Sequence, residues 1–232
     1  MIFPAIATEY MQGKKEFPWK LRMSIATGIA RGLEFMHQTM EGREIIPHGN
    51  LKLSNILLND NNEPLISEHG LSKLLDPNRS FFFASHGYTA PENSLTEKSD
   101  VYSFGVILLE LLTGRSIEIN NIDLPRWVQS MVREEWTGEV FDKALKESEY
   151  QWVFPVLNIA FLCVSRVPNN RPTMEEVLEK LDKVMQEYEH VQMLQNEHVP
   201  PPCCQNNNGS HDVCCSLHNI IPETWDSPGS NY

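Results

Sequence analysis

Residues 99–112 place the strongest limit on what this chain can fold into. The segment is apolar on nearly every side of a helix, with Val101, Phe104, Val106, Ile107, Leu108, Leu111 and Leu112 leaving no polar face. Such a helix must be surrounded by other elements, so we expect it at the centre of a domain. Gly114 follows the apolar run and is a typical helix end.

The rest of the pattern predicts a mainly helical domain with one small hairpin. The apolar runs at residues 56–58 and 64–66 flank a turn-rich loop, which is typical of two paired strands. Residues 68–92 show no sustained period and are interpreted as a long loop. Further helices are predicted over residues 18–40, over 124–136 with Asp123 as cap, over 151–164, and from a capping box formed by Thr173 and Glu176.

Two regions are predicted, a helical domain over residues 1–187 and a disordered tail rich in Cys, Pro and Asn over 188–232. The tail holds two pairs of adjacent cysteines, and neighbouring side chains diverge too much for zinc spacing, so no metal site is expected. We interpret them as reduced thiols, with reversible acylation as the alternative. The cysteines outside the domain are Cys203, Cys204, Cys214 and Cys215, whereas Cys163 is expected in the core.

Charge and hydropathy limit the partners. The net charge of −12 opposes binding to nucleic acid or to an anionic membrane, since both are polyanions. The most apolar stretch, residues 104–112, is too short to span a bilayer, and no secretory signal is visible. The chain is therefore expected to be cytoplasmic.

Residues 48–55 read HGNLKLSN and resemble the catalytic loop of protein kinases, H-R-D-L-K-x-x-N. The sequence EHG follows at residues 68–70, where kinases have D-F-G, and APE, SDVYSFG and RP follow in kinase order at residues 90, 99 and 171. The sequences DLPRWV at residues 123–128 and RPTM at 171–174 are similar to those of plant leucine-rich-repeat receptor-like kinases, a group with many inactive members. The resemblance implies the C-terminal lobe of a protein-kinase-like fold.

The resemblance also implies structural roles for retained residues. Asp100 would hold the backbone of the loop that contains His48, and Glu92 would pair with Arg171. Leu57 would form the floor under an adenine ring, stacked on Ile107 and Leu111.

Several positions that phosphoryl transfer needs are changed. Asn50 stands at the position of the catalytic aspartate, and an amide cannot act as a general base for a hydroxyl proton. Glu68 replaces the metal-binding aspartate, and its extra methylene misplaces the carboxylate. Gly49 replaces the loop arginine and His69 the phenylalanine of the regulatory stack.

Other positions keep their chemistry. Lys52, Asn55 and Ser85 retain groups that in the family contact phosphate, metal or the loop. We interpret Lys52 and Asn55 as now bonding only the loop backbone, with phosphate and metal binding as the alternative. Only 47 residues precede His48 and no G-x-G-x-x-G occurs, so the small lobe is expected to be absent from this chain. ATP and Mg²⁺, the family's cofactors, are therefore not expected to bind.

These observations predict a pseudokinase module that binds a protein partner, such as another receptor kinase or a signalling protein, through the groove beside Trp127. One alternative is a Ser/Thr kinase whose parent protein supplies the small lobe, and another is a gene fragment with no independent role. A longer receptor parent would place the lobe on the cytoplasmic side of the plasma membrane.

Overall fold

A computed structural model of the chain describes residue 6 and residues 10–38, 45–70, 87–134 and 137–196. The described elements are helices and one antiparallel hairpin, as predicted. In chain order they are α1 (Trp19–His37), β1 (Ile56–Leu58), β2 (Pro64–Ile66), α2 (Glu97–Thr113), α3 (Ile117–Asn120), α4 (Leu124–Arg133), α5 (Thr137–Val140), α6 (Tyr150–Cys163) and α7 (Met174–Asn196). Single 3₁₀ turns lie at Leu53–Asn55, Glu147–Glu149 and Pro168–Asn170.

Helix α2 is the buried centre of the domain, which confirms the expectation drawn from its apolar sequence. Its start is fixed by Thr96, whose side chain accepts a hydrogen bond from the backbone of Ser99, and its end by Gly114 at φ 67°. Gly105 lets α6 approach closely, because a Cβ atom there would lie 2.6 Å from Cβ of Cys163. Cys163 itself is fully buried, as predicted.

The hairpin presents two different faces. Ile56 pairs with Ile66 and Leu58 with Pro64, and both Ile56 and Leu58 are buried. Side chains alternate along a strand, so Leu57 lies on the opposite face, where its cross-strand partner Leu65 is 41% exposed. One face of the hairpin therefore joins the core and the other remains partly open.

Helix ends differ from prediction in two places. Helix α7 continues to Asn196, so residues 188–196 are helical and not part of a disordered tail. The reason is local, since residues 185–195 are mostly strong helix formers and the next proline is Pro200. Helix α4 ends at Arg133, before the predicted end at Trp136. Trp136, Ser85 and the four tail cysteines lie outside the described residues.

The chain divides into two units, residues 1–186 and 187–232. All of the candidate site described below belongs to the first unit.

Candidate functional site

The loop at residues 48–50 is held by the central helix. Asp100, 1% exposed on α2, accepts hydrogen bonds from the backbone N–H of His48 at 2.8 Å and of Gly49 at 2.9 Å. His37, at the end of α1, places Nε2 3.0 Å from Oδ2 of the same carboxylate. Gly49 has φ 73°, a conformation that glycine adopts without strain. The Asp100 carboxylate therefore fixes the backbone of the loop at His48 and Gly49.

His48 links this loop to the end of the hairpin. Its Nδ1 accepts a hydrogen bond from the backbone N–H of Asn50 at 3.2 Å, and its Nε2 lies 2.9 Å from the carbonyl oxygen of Ser67. A carbonyl can only accept, so Nε2 carries the proton and the ring is neutral. Burial lowers the pKa of His48, and the nearby Asp100 carboxylate offsets only part of this effect, so the net pKa is lowered. His48 is thus a neutral structural bridge.

Asn55 also bonds the loop backbone, as we interpreted it from the sequence. Its Nδ2 donates to the carbonyl oxygen of Asn50 at 2.9 Å, while Ser67 donates both its backbone N–H and its hydroxyl to the carbonyl of Asn55. Asn50, at the position of the catalytic base, is half-buried. These bonds shape the loop but supply no group that takes a proton from a hydroxyl.

Lys52 does not bond the loop backbone, and that part of the sequence interpretation is wrong. Its Nζ donates to Oε1 of Glu118 at 2.9 Å, and Ser54 donates its hydroxyl to the same oxygen at 3.1 Å. Glu118 is in α3, immediately after the central helix. The ammonium prefers this carboxylate because opposite charges attract more strongly than a charge and a neutral carbonyl.

The segment after the hairpin departs from an apolar stack. Glu68 has φ 65°, an uncommon conformation for a residue with a side chain, and both Glu68 and His69 are exposed. The ring centroids of His48 and His69 are 6.2 Å apart. The carboxylate of Glu68 is thus free to contact solvent, and His69 is not packed as a core side chain.

Arg171 and Glu92 form a bidentate ion pair in the lower part of the lobe. Nη1 and Nη2 of Arg171 donate to the two carboxylate oxygens at 2.7 Å each, while Nε donates to the carbonyl of Ser165 at 2.8 Å. Burial of Glu92 raises the pKa of its carboxyl, but the hydrogen bonds from Arg171, a backbone hydrogen bond and the positive charge of Arg171 together outweigh this, so the net pKa is lowered. The side chain of Arg171 is fully buried, so the guanidinium has a structural task.

Leu57 is half-buried on the open face of the hairpin, whereas Ile107 and Leu111 are fully buried in α2. Its stacking on these two residues stays a prediction. Among the residues that the structure describes, no group of three or more His, Cys, Asp or Glu side chains is arranged to hold a metal ion. The resemblance assigns phosphoryl transfer or metal binding to Asn50, Lys52, Asn55 and Glu68. Of these, Glu68 alone carries a carboxylate.

Sequence reasoning missed three residues of this region. Glu110 is fully buried in α2, where its carboxyl accepts hydrogen bonds from the hydroxyl of Tyr88 at 2.6 Å and from the backbone of Ile117 at 2.8 Å. A single acid inside an apolar helix was a usable signal. The sequence gives no such signal for His37 or Glu118, because their partners, Asp100 and Lys52, are distant in the chain and come close only after folding.

Comparison with known proteins identifies the family of this chain. The sequence profile of the protein kinase domain matches residues 5–181. The chain belongs to the protein kinase family. Within this family it is similar to plant leucine-rich-repeat receptor-like kinases, and several of the similar kinases are named inactive.

Two relatives from Arabidopsis thaliana illustrate the match. A protein named a probable inactive receptor kinase is 40% identical over 184 residues, covering 74% of this chain and 28% of the relative. The leucine-rich repeat receptor-like protein kinase PXC1 is 41% identical over 199 residues, covering 74% of this chain and 29% of the relative. This kinase chain thus spans less than a third of the length of these two relatives.

A solved structure of the pseudokinase domain of BIR2, described as an immune regulator of the RLK/Pelle family, is also similar. Its TM-score is 0.71 at 27% identity, covering 86% of this chain and 63% of that one. This match confirms the protein kinase fold, and the helical content with one small sheet fits the C-terminal lobe. None of the described helices is long and apolar enough to cross a membrane.

Proposed function

We propose that this kinase lobe is a pseudokinase module that acts by binding a protein partner and not by phosphoryl transfer. The proposal rests on the chemistry of the loop at residues 48–55. Asn50 occupies the position of the base, and the Lys52 ammonium is paired with Glu118. General-base assistance contributes roughly 10²–10⁴-fold to such reactions, and an amide forfeits it.

The groups present fit a nucleotide with Mg²⁺ poorly. Asn55 uses its amide N–H to hold the backbone of Asn50, and the Glu68 carboxylate is carried on a longer side chain than the family's aspartate. When bound, a metal ion would neutralise phosphate charge. We infer no reaction step through that group in this chain.

The binding surface that we propose lies beside α4. Its inner face buries Leu124, Pro125, Val128 and Val132, which leaves Trp127 on the flank of the helix. Cζ of Arg115 lies 4.4 Å from the centroid of the Trp127 ring. An aromatic ring with a stacked guanidinium is the kind of anchor that dominates protein interfaces. The partner is a protein, such as another receptor kinase, and the site faces the cytoplasm if the parent is a receptor.

The test is affinity capture from a plant cytosolic extract, followed by binding measurements with each purified, identified partner. Trp127→Ala is expected to weaken one partner by at least about tenfold, which is the usual loss at an interface anchor. Phe35→Ala is the matched control, because Phe35 is a 62% exposed aromatic on α1. If no partner distinguishes the two variants, the Trp127 surface is not the binding site.

A Ser/Thr kinase remains the second candidate, favoured by the intact frame of Asp100, Glu92 and Arg171. This candidate needs a parent protein that supplies the small lobe. Titration with ATP and Mg²⁺ under a thermal-shift readout separates the two candidates. The pseudokinase proposal expects no stabilisation of this chain, whereas micromolar binding would favour the enzyme.

A further inference from the structure

A second concave site lies away from the loop, between the end of α1, the start of α2 and the start of α7. It is a cavity of about 360 Å³. This volume is within the range of about 300–1,000 Å³ that is typical of ligand sites. None of Asn50, Lys52, Asn55, Leu57 or Glu68 lines it, so it does not include the positions that the family assigns to phosphoryl transfer. Its apolar lining consists of Ile45, Val101, Pro172 and Met174.

The rim of this cavity is acidic. Glu34, Glu97 and Glu175 line it, against a single lysine, Lys98. Nζ of Lys98 already donates to the carbonyl of Arg171 at 2.6 Å. Within the described part of the chain, the carboxylates of Glu97 and Glu175 have no hydrogen-bond or ion-pair partner. Both lie in the first turn of a helix, Glu97 in α2 and Glu175 in α7, where the helix dipole favours an acid.

One wall of the cavity is held in place from behind. His37 lines the cavity, and its Nε2 is bonded to the buried Asp100 carboxylate at 3.0 Å. Met174 is 2% exposed and Val101 1% exposed, so these apolar side chains are fixed by packing. A site whose walls are already ordered loses little entropy when a ligand enters.

We propose that this cavity receives an arginine side chain from a basic segment of the protein partner. The aliphatic stem of arginine suits the apolar lining, and its guanidinium suits the rim, where its fixed set of N–H donors can serve two carboxylates at once. The inference rests on the proposed binding function and names the chemistry of the partner. It concerns a surface different from the one at Trp127.

The experiment uses the full chain with ¹³C-methyl methionine and N-acetyl-arginine methylamide as the probe. Met174 lines the cavity and reports on entry, while Met23, 1% exposed in α1 and not part of the lining, is the internal control. The Met174 methyl signal is expected to shift saturably and the Met23 signal to stay. N-acetyl-citrulline methylamide has the same shape without the charge and is expected to bind about fivefold more weakly.

The charge requirement is tested with a double variant and a control of equal charge. Glu97→Gln with Glu175→Gln is expected to weaken probe binding about three- to tenfold, since each exposed ion pair contributes modestly. Glu139→Gln with Glu147→Gln changes two exposed acids outside the cavity and is expected to leave binding unchanged.

Three outcomes would overturn the proposal: no saturable shift of Met174, equal binding of the citrulline compound, or an equal loss in the control variant. If the Met174 signal does not shift while Trp127-dependent capture of a partner persists, the arginine-binding proposal is wrong and the proposed binding function still stands. Probe binding without any captured partner would instead count against the proposed function.

Discussion

Arg171 and Glu92 are joined by two parallel hydrogen bonds of 2.7 Å, from Nη1 to Oε1 and from Nη2 to Oε2. The same guanidinium donates to the carbonyls of Ser165 and Lys98, so each of its three nitrogen atoms donates at least one hydrogen bond. This arrangement ties the segment before α2 to the segment before α7. It preserves the kinase frame independently of the loop where transfer chemistry would occur.

The first prediction concerns this pair, in which Arg171 is fully buried and the Glu92 side chain is 21% exposed. Arg171→Ala removes the donor to the Glu92 carboxylate and to two carbonyls, so we expect a loss of about 2–3 kcal/mol in the free energy of unfolding, because water can still reach the carboxylate. Urea unfolding followed by circular dichroism measures it. Arg31→Ala is the control, because Arg31 and Asp182 form an exposed pair at 3.5 Å that should contribute less than about 1 kcal/mol. Equal losses in both variants would contradict a structural role for the buried Arg171 guanidinium.

The second prediction concerns the buried acid of α2. Burial raises the pKa of Glu110 to about 8, from 4.5 for an exposed glutamate. The folded state therefore holds its proton more tightly than the unfolded state, and the stability that Glu110 contributes is full below pH 4.5 and is lost as the pH rises through about 8.

Glu110→Gln imitates the protonated acid and should remove this dependence. Between pH 5 and 8 the free energy of unfolding of the natural chain should fall relative to the variant, by at most about 1.4 kcal/mol per pH unit. Urea titrations at several pH values measure the difference. Glu139→Gln, at an exposed acid, should run parallel to the natural chain. A difference that stays flat with pH for Glu110→Gln would refute the buried-acid interpretation.

The fold was largely predictable because its main determinants are local. The apolar circumference of residues 99–112 predicted the buried α2, and the turn residues at 59–63 predicted the hairpin. The end of α7 was not predicted, since weak periodicity hid a run of good helix formers.

The site was predictable only where a family pattern places a residue. The partner of Lys52 could not be found, because Glu118 lies far along the chain and meets the lysine only after α3 forms. The contact of His37 with Asp100 was missed for the same reason. Glu110 was missed as well, although a single acid in an apolar helix is a sequence signal for a buried carboxyl that needs hydrogen-bond partners.

The third prediction concerns the lysine of the loop. Glu118→Gln removes the charge that holds the Lys52 ammonium, so the rate at which Lys52 is acetylated should rise up to about fivefold, as expected for a partly exposed ion pair. Mass spectrometry of peptides after brief treatment with an acetylating reagent measures the rate. Lys180, exposed on α7, is the internal control and should not change. An unchanged Lys52 rate would mean that the pair does not persist in solution.

The fourth prediction concerns the contact between α2 and α6. A Cβ atom at Gly105 would lie 2.6 Å from Cβ of Cys163 and 3.1 Å from the carbonyl oxygen of Ala160. Gly105→Ala should therefore cost about 1–3 kcal/mol of stability by overpacking. Gly32→Ala is the control, because its Cβ would meet only the tip of the Ile66 side chain, which can move. Thermal unfolding compares the two, and an equal effect would contradict this close approach.

The most direct test of the central claim is the transfer of radiolabelled phosphate from ATP with Mg²⁺, using the longest natural protein that contains these 232 residues. The assay includes Lys52→Ala and Asn50→Ala variants and an active receptor-like kinase as a positive control. We expect the natural protein to incorporate no more phosphate than either variant. Incorporation by the natural protein that either substitution abolishes would contradict the proposal that this lobe acts by binding alone.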